Sequence, residues 1–156
     1  LAWDEPWVPH YLWPENEHCQ YLNIWTKSID EGAKKPVMVW IHGGGWFSGS
    51  AIEIYSYDGE NLAADKDVVV VSINHRLNVL GYLNLEEYGE EYKYSSAAGL
   101  ADLVMALEWV RDNIEAFGGD PGNVTIFGQS GGGGKVTDLW FISCRHLPLT
   151  DSIIRQ

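Results

Sequence analysis

Two apolar runs constrain this chain more than any other feature: Pro36 to Ile41 (PVMVWI) and Asp67 to Ile73 (DVVVVSI). A strand with one face in water alternates apolar and polar residues. A strand without alternation is covered on both faces, as in a parallel sheet between layers of helix. Tyr21 to Trp25 and Val124 to Phe127 read as further strands, and Ser152 to Ile154 as a last one. Between them, Tyr57 to Ala64 can supply a short helix. Gly99 to Phe117 is the clearest helix, because Leu100, Val104, Leu107, Val110, Ile114 and Phe117 recur at steps of three and four. Gly118-Gly119-Asp120-Pro121-Gly122 ends it. Lys135 to Phe141 fits another helix. Strand, crossover, strand, crossover, strand is the order of a parallel α/β sheet. Asp30 to Pro36 is a polar turn, and the first 18 residues, rich in Trp, Pro, His and acid, read as irregular chain.

The 156 residues suffice for one domain with a buried core. A formal charge of −12 argues against a nucleic-acid partner, since phosphate backbones are met with Lys and Arg. Glu86, Glu87, Glu90 and Glu91 crowd one polar stretch, which reads as a solvated loop. Cys19 and Cys144 cannot build a disulfide framework and show no metal-ligand spacing, so two unpaired thiols are expected. No apolar run reaches the roughly 18 residues of a membrane span. No signal-peptide pattern is visible, although the chain starts at Leu1 without an initiator Met. A soluble protein, cytoplasmic or secreted, is expected. Asn123-Val124-Thr125 fits a glycosylation sequon but sits at the start of a strand.

The chemistry is carried by Gly128-Gln129-Ser130-Gly131-Gly132, directly after the strand at Val124 to Phe127. A serine hydroxyl is a poor nucleophile until a base takes its proton, and its oxygen must be presented clear of the chain. A tight strand-to-helix turn presents it, at the cost of backbone crowding that glycines two residues before and after relieve. His42-Gly43-Gly44-Gly45-Trp46 follows the buried strand ending at Ile41 in the same way. When an ester is attacked, its carbonyl oxygen becomes an oxyanion that needs preorganised donors. Backbone N–H groups reach it only where side chains are absent, which three glycines achieve. The N–H after the nucleophile, that of Gly131, completes such a hole. His42 leads the loop and reads as a hydrogen-bonded structural residue in preference to a general base.

Gly131-Gly132-Gly133-Gly134-Lys135 also invites comparison with a nucleotide-binding loop. That loop needs G-x-x-x-x-G-K-[ST], but Gln129 stands where the first glycine belongs and Val136 follows the lysine. The motif fails at both ends.

Glu17 to Trp25 (EHCQYLNIW), Pro36 to Gly49 (PVMVWIHGGGWFSG), Ser72 to Leu77 (SINHRL) and Gly99 to Ser130 together resemble the type-B carboxylesterase family, which includes the cholinesterases. The resemblance covers about residues 17 to 139. It implies an α/β-hydrolase fold, a mostly parallel sheet flanked by helices, of which this chain would be the N-terminal portion. It implies hydrolysis of a small-molecule carboxylic ester through an acyl-enzyme, without metal or organic cofactor. Ser130 would be the nucleophile, and Gly44, Gly45 and Gly131 would supply oxyanion N–H groups. Trp46 and Phe47 would lie near the acyl site or serve as core aromatics. Several positions depart from the family pattern. His18 stands for the usual Asp, His75 for the usual Tyr, Ser96-Ala97-Ala98 for an Asn-containing segment, and Gln129 for a frequent Glu. Gln129 weakens the case for cationic choline esters. In the family order of Ser, acid, His, the last two lie far downstream. Asp138, His146 and Asp151 are the downstream candidates here; Asp138 on the helix leaving the elbow and His146 in the next crossover do not fall where a side chain would point back to Ser130, and none of the three is nominated. Residues 1–156 are thus expected to be one partial domain, truncated at both ends relative to the family. Alone, it would be marginally stable and nearly inactive. The competing class is a non-catalytic interaction protein of the same family, although such members typically lack the serine.

Overall fold

A computed structural model of the chain describes residues 14–146. The start of the irregular N-terminal stretch, the expected strand at Ser152 to Ile154 and Asp151 lie outside the described residues, as do the side chains of Cys144 and His146.

Four strands form one sheet: β1 (Leu22–Trp25), β2 (Lys35–Ile41), β3 (Val69–Ile73) and β4 (Gly119–Gly128), in spatial order β1-β3-β2-β4. β3, β2 and β4 run parallel, and β1 pairs antiparallel with β3. The crossovers carry α1 (Glu60–Lys66) and α3 (Ala98–Asn113), with short α2 (Asn78–Tyr82) before α3 and α4 (Gly131–His146) after β4. This is the mostly parallel, helix-flanked sheet that the apolar runs require.

The core explains those runs. β3 is buried along its whole length, as a strand covered on both faces must be. In β2, Val37, Val39 and Ile41 point to the deeper face, while Met38 and Trp40 are only partly covered. The deeper face joins Val69, Val71, Ile73, Val124 and Ile126 to Leu103, Leu107, Val110 and Ile114 of the third helical segment and Leu139 of α4. On the opposite face Val68 and Val70 pack against Ala63 of α1. Burying each Val, Leu or Ile side chain contributes about 1.5–3 kcal/mol.

Some element bounds differ from the pattern expected. The long helix turns to 3₁₀ geometry at Ile114–Phe117 and ends at Gly118 with φ +82°, a left-handed cap. β4 extends back to Gly119, which pairs with Lys35 before a register shift restores Val37 opposite Val124. α4 starts at Gly131, not Lys135: packing against β2 overrides the poor helix propensity of glycine. The acidic stretch forms exposed 3₁₀ turns at Glu86–Tyr88 and Glu90–Tyr92, as a solvated loop should. Among the described residues no helix is long and apolar enough to cross a membrane.

Asp102 breaks the apolar pattern of α3. Its carboxylate, 4% exposed, accepts hydrogen bonds from Arg76 Nε at 2.9 Å, Arg76 Nη2 at 2.6 Å, the Arg76 backbone N–H at 2.9 Å and Gln20 Nε2 at 2.7 Å. One residue thus ties the segment after β3 and the chain before β1 to α3. Burial alone would raise the Asp102 pKa, but the bonds from Arg76 and Gln20 outweigh it and hold the carboxyl below its ordinary 3.8. A depressed carboxyl stabilises the fold above the unfolded-state pKa, and that stability is lost as pH falls through the folded value. Asp102→Ala is therefore expected to lower unfolding free energy by about 2–3 kcal/mol at neutral pH. That is less than the roughly 3–5 kcal/mol of a fully buried broken pair, because the Arg76 side chain, 36% exposed, can turn to water. Denaturant melts should show the difference between wild type and variant shrinking toward acid pH.

Candidate active site

The sheet register sets the site. Ile41, the last residue of β2, lies opposite both Ile73 of β3 and Gly128 of β4. The segments that leave these strands therefore start at one level on the same edge of the sheet. They are His42 to Gly45, Asn74 to Arg76, and Gln129 to Ser130.

Ser130 has φ +55°. Left-handed backbone is uncommon for a residue with a Cβ and is tolerated where surrounding structure enforces it. Enforcement here comes from close approach of backbones. A Cβ on Gly128 would stand 2.6 Å from the Gly132 carbonyl carbon and 2.7 Å from the Ile41 oxygen. A Cβ on Gly132 would collide with the Ile41 carbonyl and lie 2.9 Å from the His42 oxygen. The two glycines flanking the serine thus let the turn close on itself and dock on β2. Ser130 itself is exposed at the head of α4. Among the described residues no side chain hydrogen-bonds its hydroxyl.

The glycine loop sits against this elbow. Gly44 and Gly45 have φ +81° and +66°, the left-handed region that glycine enters without strain. A Cβ on Gly131 would fall 2.5 Å from the Gly45 Cα and 2.7 Å from its nitrogen, so the two backbones touch. Gly43 is buried against the Gln129 carbonyl and its side-chain oxygen. Among the described residues the N–H groups of Gly44, Gly45 and Gly131 enter no turn or loop backbone hydrogen bond. Ser130, Gly44, Gly45 and Gly131, singled out from the sequence, are therefore brought together at one sheet edge.

His42 is fully buried, and its Nδ1 lies 2.9 Å from the Gly43 carbonyl oxygen. A carbonyl only accepts, so Nδ1 carries the proton and Nε2 the lone pair. Burial, and then the charge of Lys135, push its pKa down to about 4, with the Gly43 carbonyl opposing. This is the structural role expected for His42. His75 follows β3 and stacks on it, ring centroids 4.8 Å apart, with its pKa lowered to about 3 by burial, by His42 and by Lys135.

Lys135 was visible in the sequence only through a failed phosphate-loop motif. It is fully buried on the sheet side of α4, its pKa lowered to about 8 by burial, so it is not placed to meet a phosphate. Asp102 was hidden too, since a charge inside a helix normally marks the solvent face. No local sequence signal marks the burial of either, which depends on contacts with β2 and Arg76. Trp46 and Phe47 are 38% and 71% exposed, so they are not core aromatics among the described residues. The Trp46 ring lies over Gly134 in the first turn of α4. Asp138 is on α4, eight positions past the nucleophile, and partly buried.

Comparison with known proteins gives one consistent result. The model of the carboxylesterase family matches residues 4–154. The chain is 48% identical over 126 residues to the para-nitrobenzyl esterase of Bacillus subtilis (strain 168), covering 80% of this chain and 25% of that protein. It is 46% identical over 132 residues to the acetylcholinesterase of Gallus gallus, covering 85% of this chain and 16% of that protein. Among solved structures, an esterase from anaerobic Clostridium hathewayi, described as able to hydrolyse aliphatic aromatic polyesters, superposes with a TM-score of 0.87 at 60% identity. That match covers 96% of this chain and 29% of the other. The Geobacillus stearothermophilus carboxylesterase EST55 gives 0.79 at 47% identity, over 87% of this chain and 28% of that one. The chain thus spans about a quarter of the length of several relatives it matches.

The packing of the elbow predicts a contrast between neighbouring glycines. Gly132→Ala should force α4 off β2 and cost at least about 1–3 kcal/mol as an overpacked site. It should also slow reaction of Ser130 with a serine-directed probe by about 100-fold, the penalty for misplacing a reacting group by about 1 Å. Gly133→Ala, whose Cβ would meet only the Gly128 oxygen at 3.6 Å, should react as wild type and melt no lower.

Proposed function

Because the chain belongs to the carboxylesterase family, we propose that it carries the nucleophile and oxyanion hole of a serine carboxylic-ester hydrolase with the α/β-hydrolase fold. The observation that carries this reading is the contact of the Gly45 and Gly131 backbones beside a serine held at positive φ.

In this reading Ser130 Oγ attacks the carbonyl carbon of a small-molecule ester while a general base takes its proton. The carbonyl oxygen becomes an oxyanion and accepts N–H bonds from Gly44, Gly45 and Gly131. Collapse expels the alcohol, with its proton returned by the base, and leaves an acyl group on Ser130. Water, activated by the same base, then releases the acid. Each oxyanion donor is worth about 2.7–4 kcal/mol of transition-state stabilisation. Electrostatic help of this kind is preorganised, because glycine N–H groups fixed by strand ends need not reorient. No metal or organic cofactor enters the sequence of steps.

The base is none of the histidines whose side chains are described. His42 is committed to the Gly43 carbonyl, His75 is buried against it, and His18 is exposed before β1. We assign the base, and the carboxylate that orients it, to residues other than those whose side chains are described. Next to the nucleophile, the neutral Gln129 offers no anionic partner for a cationic alcohol, so esters of neutral alcohols fit the site better than choline esters.

A fluorophosphonate probe tests the nucleophile directly. The complete gene product is expected to be labelled once, on the peptide containing Ser130, and Ser130→Ala to abolish both labelling and ester hydrolysis. A correctly folded protein that takes no label, or takes it elsewhere, would favour a non-catalytic role.

A further inference from the structure

Behind the glycine loop, three basic side chains meet in the interior. His42 and Lys135 are 0% exposed and His75 is 2% exposed. His42 Nε2, both ring nitrogens of His75 and Lys135 Nζ are buried without a hydrogen-bond partner among the described residues. The mechanism above uses none of them. Buried polar groups of this kind are normally satisfied, because desolvating an unpaired donor or acceptor costs about 1–3 kcal/mol, and more when it is charged.

Their placement follows from the packing that forms the elbow. Gly132 lies against the Ile41 and His42 carbonyls. Lys135 is three residues further along α4, on the same helix face, and so projects toward the end of β2 where His42 stands. Register places His75 beside them, since Ile41 and Ile73 are partners. The electrostatics agree: the Lys135 charge acts on both rings.

The hydrogen-bonding roles are complementary. The Gly43 carbonyl fixes the proton of His42 on Nδ1, which leaves Nε2 as an acceptor. Lys135 offers three N–H donors and no acceptor, and a neutral His75 offers one of each. We propose that Lys135 is a positioning residue for the oxyanion loop: its ammonium group donates through one bridging water to His42 Nε2, the two nitrogens making no direct bond, and so holds the His42 ring, and the Gly43 carbonyl bonded to it, in place behind Gly44 and Gly45. The inference rests on the esterase reading for its effect on rate, but the hydrogen bond itself does not. A buried lysine chosen for this task has a physical logic. Its charge also disfavours protonation of both histidines, so His42 keeps its lone pair at neutral pH.

Two measurements decide the matter. In wild type, ¹⁵N spectra of ring-labelled histidine are expected to show His42 with a protonated Nδ1. Its Nε2 should resonate upfield of an unbonded pyridine-type nitrogen. Lys135→Met keeps the unbranched apolar stem as far as Cε and removes every donor. It should move Nε2 downfield and reduce kcat roughly ten- to hundredfold, with KM changed less than about twofold, as for an interaction that matters in the transition state. Because the variant removes a buried charge, its melting temperature should not fall, which separates positioning from general damage. The proposal is overturned if wild-type Nε2 is protonated or unbonded, a result that needs no variant. It is equally overturned if Lys135→Met folds and retains kcat. If Ser130 takes no fluorophosphonate, the esterase reading fails instead, while the His42 nitrogen shifts still decide the hydrogen bond.

Discussion

Docking of the first turn of α4 on the end of β2, backbone against backbone, is the contact on which the rest of the site depends. Gly132 meets the Ile41 and His42 carbonyls, and Gly128 meets Gly132. A methyl group at either place would occupy space already filled by main chain. With that contact made, the turn can only pass through Ser130 in left-handed geometry, and the serine comes out on the exposed side. The same approach brings Gly131 onto Gly45, so the nucleophile and the loop beside it are positioned by one packing event. A rigid scaffold of buried β3 and half-covered β2 gives that event its precision, since strand ends in a packed sheet move little.

Interior charge is handled differently on the two sides of this scaffold. Asp102 is fully satisfied by Arg76 and Gln20, and its role is to fasten elements together. Lys135, His42 and His75 form a cluster in which His42 Nε2, both His75 ring nitrogens and Lys135 Nζ have no hydrogen-bond partner among the described residues. Such a cluster is a poor means of gaining stability, because each group gives up hydration on burial. Its position directly behind the glycine loop is what makes a positioning role the economical explanation.

Much of this was legible in the sequence because glycine and apolar residues report backbone geometry locally. The run at Asp67 to Ile73, with its four consecutive valines, named a strand covered on both faces, and the glycines at 128 and 132 named a turn with no room for Cβ atoms. Other features depend on contacts distant in sequence. Four residues at Leu22 to Trp25 suggest a strand but not its direction, and the antiparallel pairing with β3 is set by how the chain enters the sheet. Helical periodicity placed Leu107, Val110 and Ile114 in the core but passed over Leu103, as fully buried as Ile114, and Asp102 beside it. Four consecutive glycines argue against a helix, yet α4 begins with them, because tertiary docking outweighs about 1 kcal/mol of propensity per residue. The burial of Lys135 was not legible for the same reason: nothing local to it says that β2 lies above.

The central claim is geometric, and the structure of a phosphonylated adduct of the complete gene product tests it most directly. The account predicts phosphorus bonded to Ser130 Oγ and one phosphonyl oxygen within about 2.7–3.1 Å of the backbone nitrogens of Gly44, Gly45 and Gly131. An adduct on Ser130 whose oxygens point away from these three nitrogens, or an adduct on another residue, would contradict it.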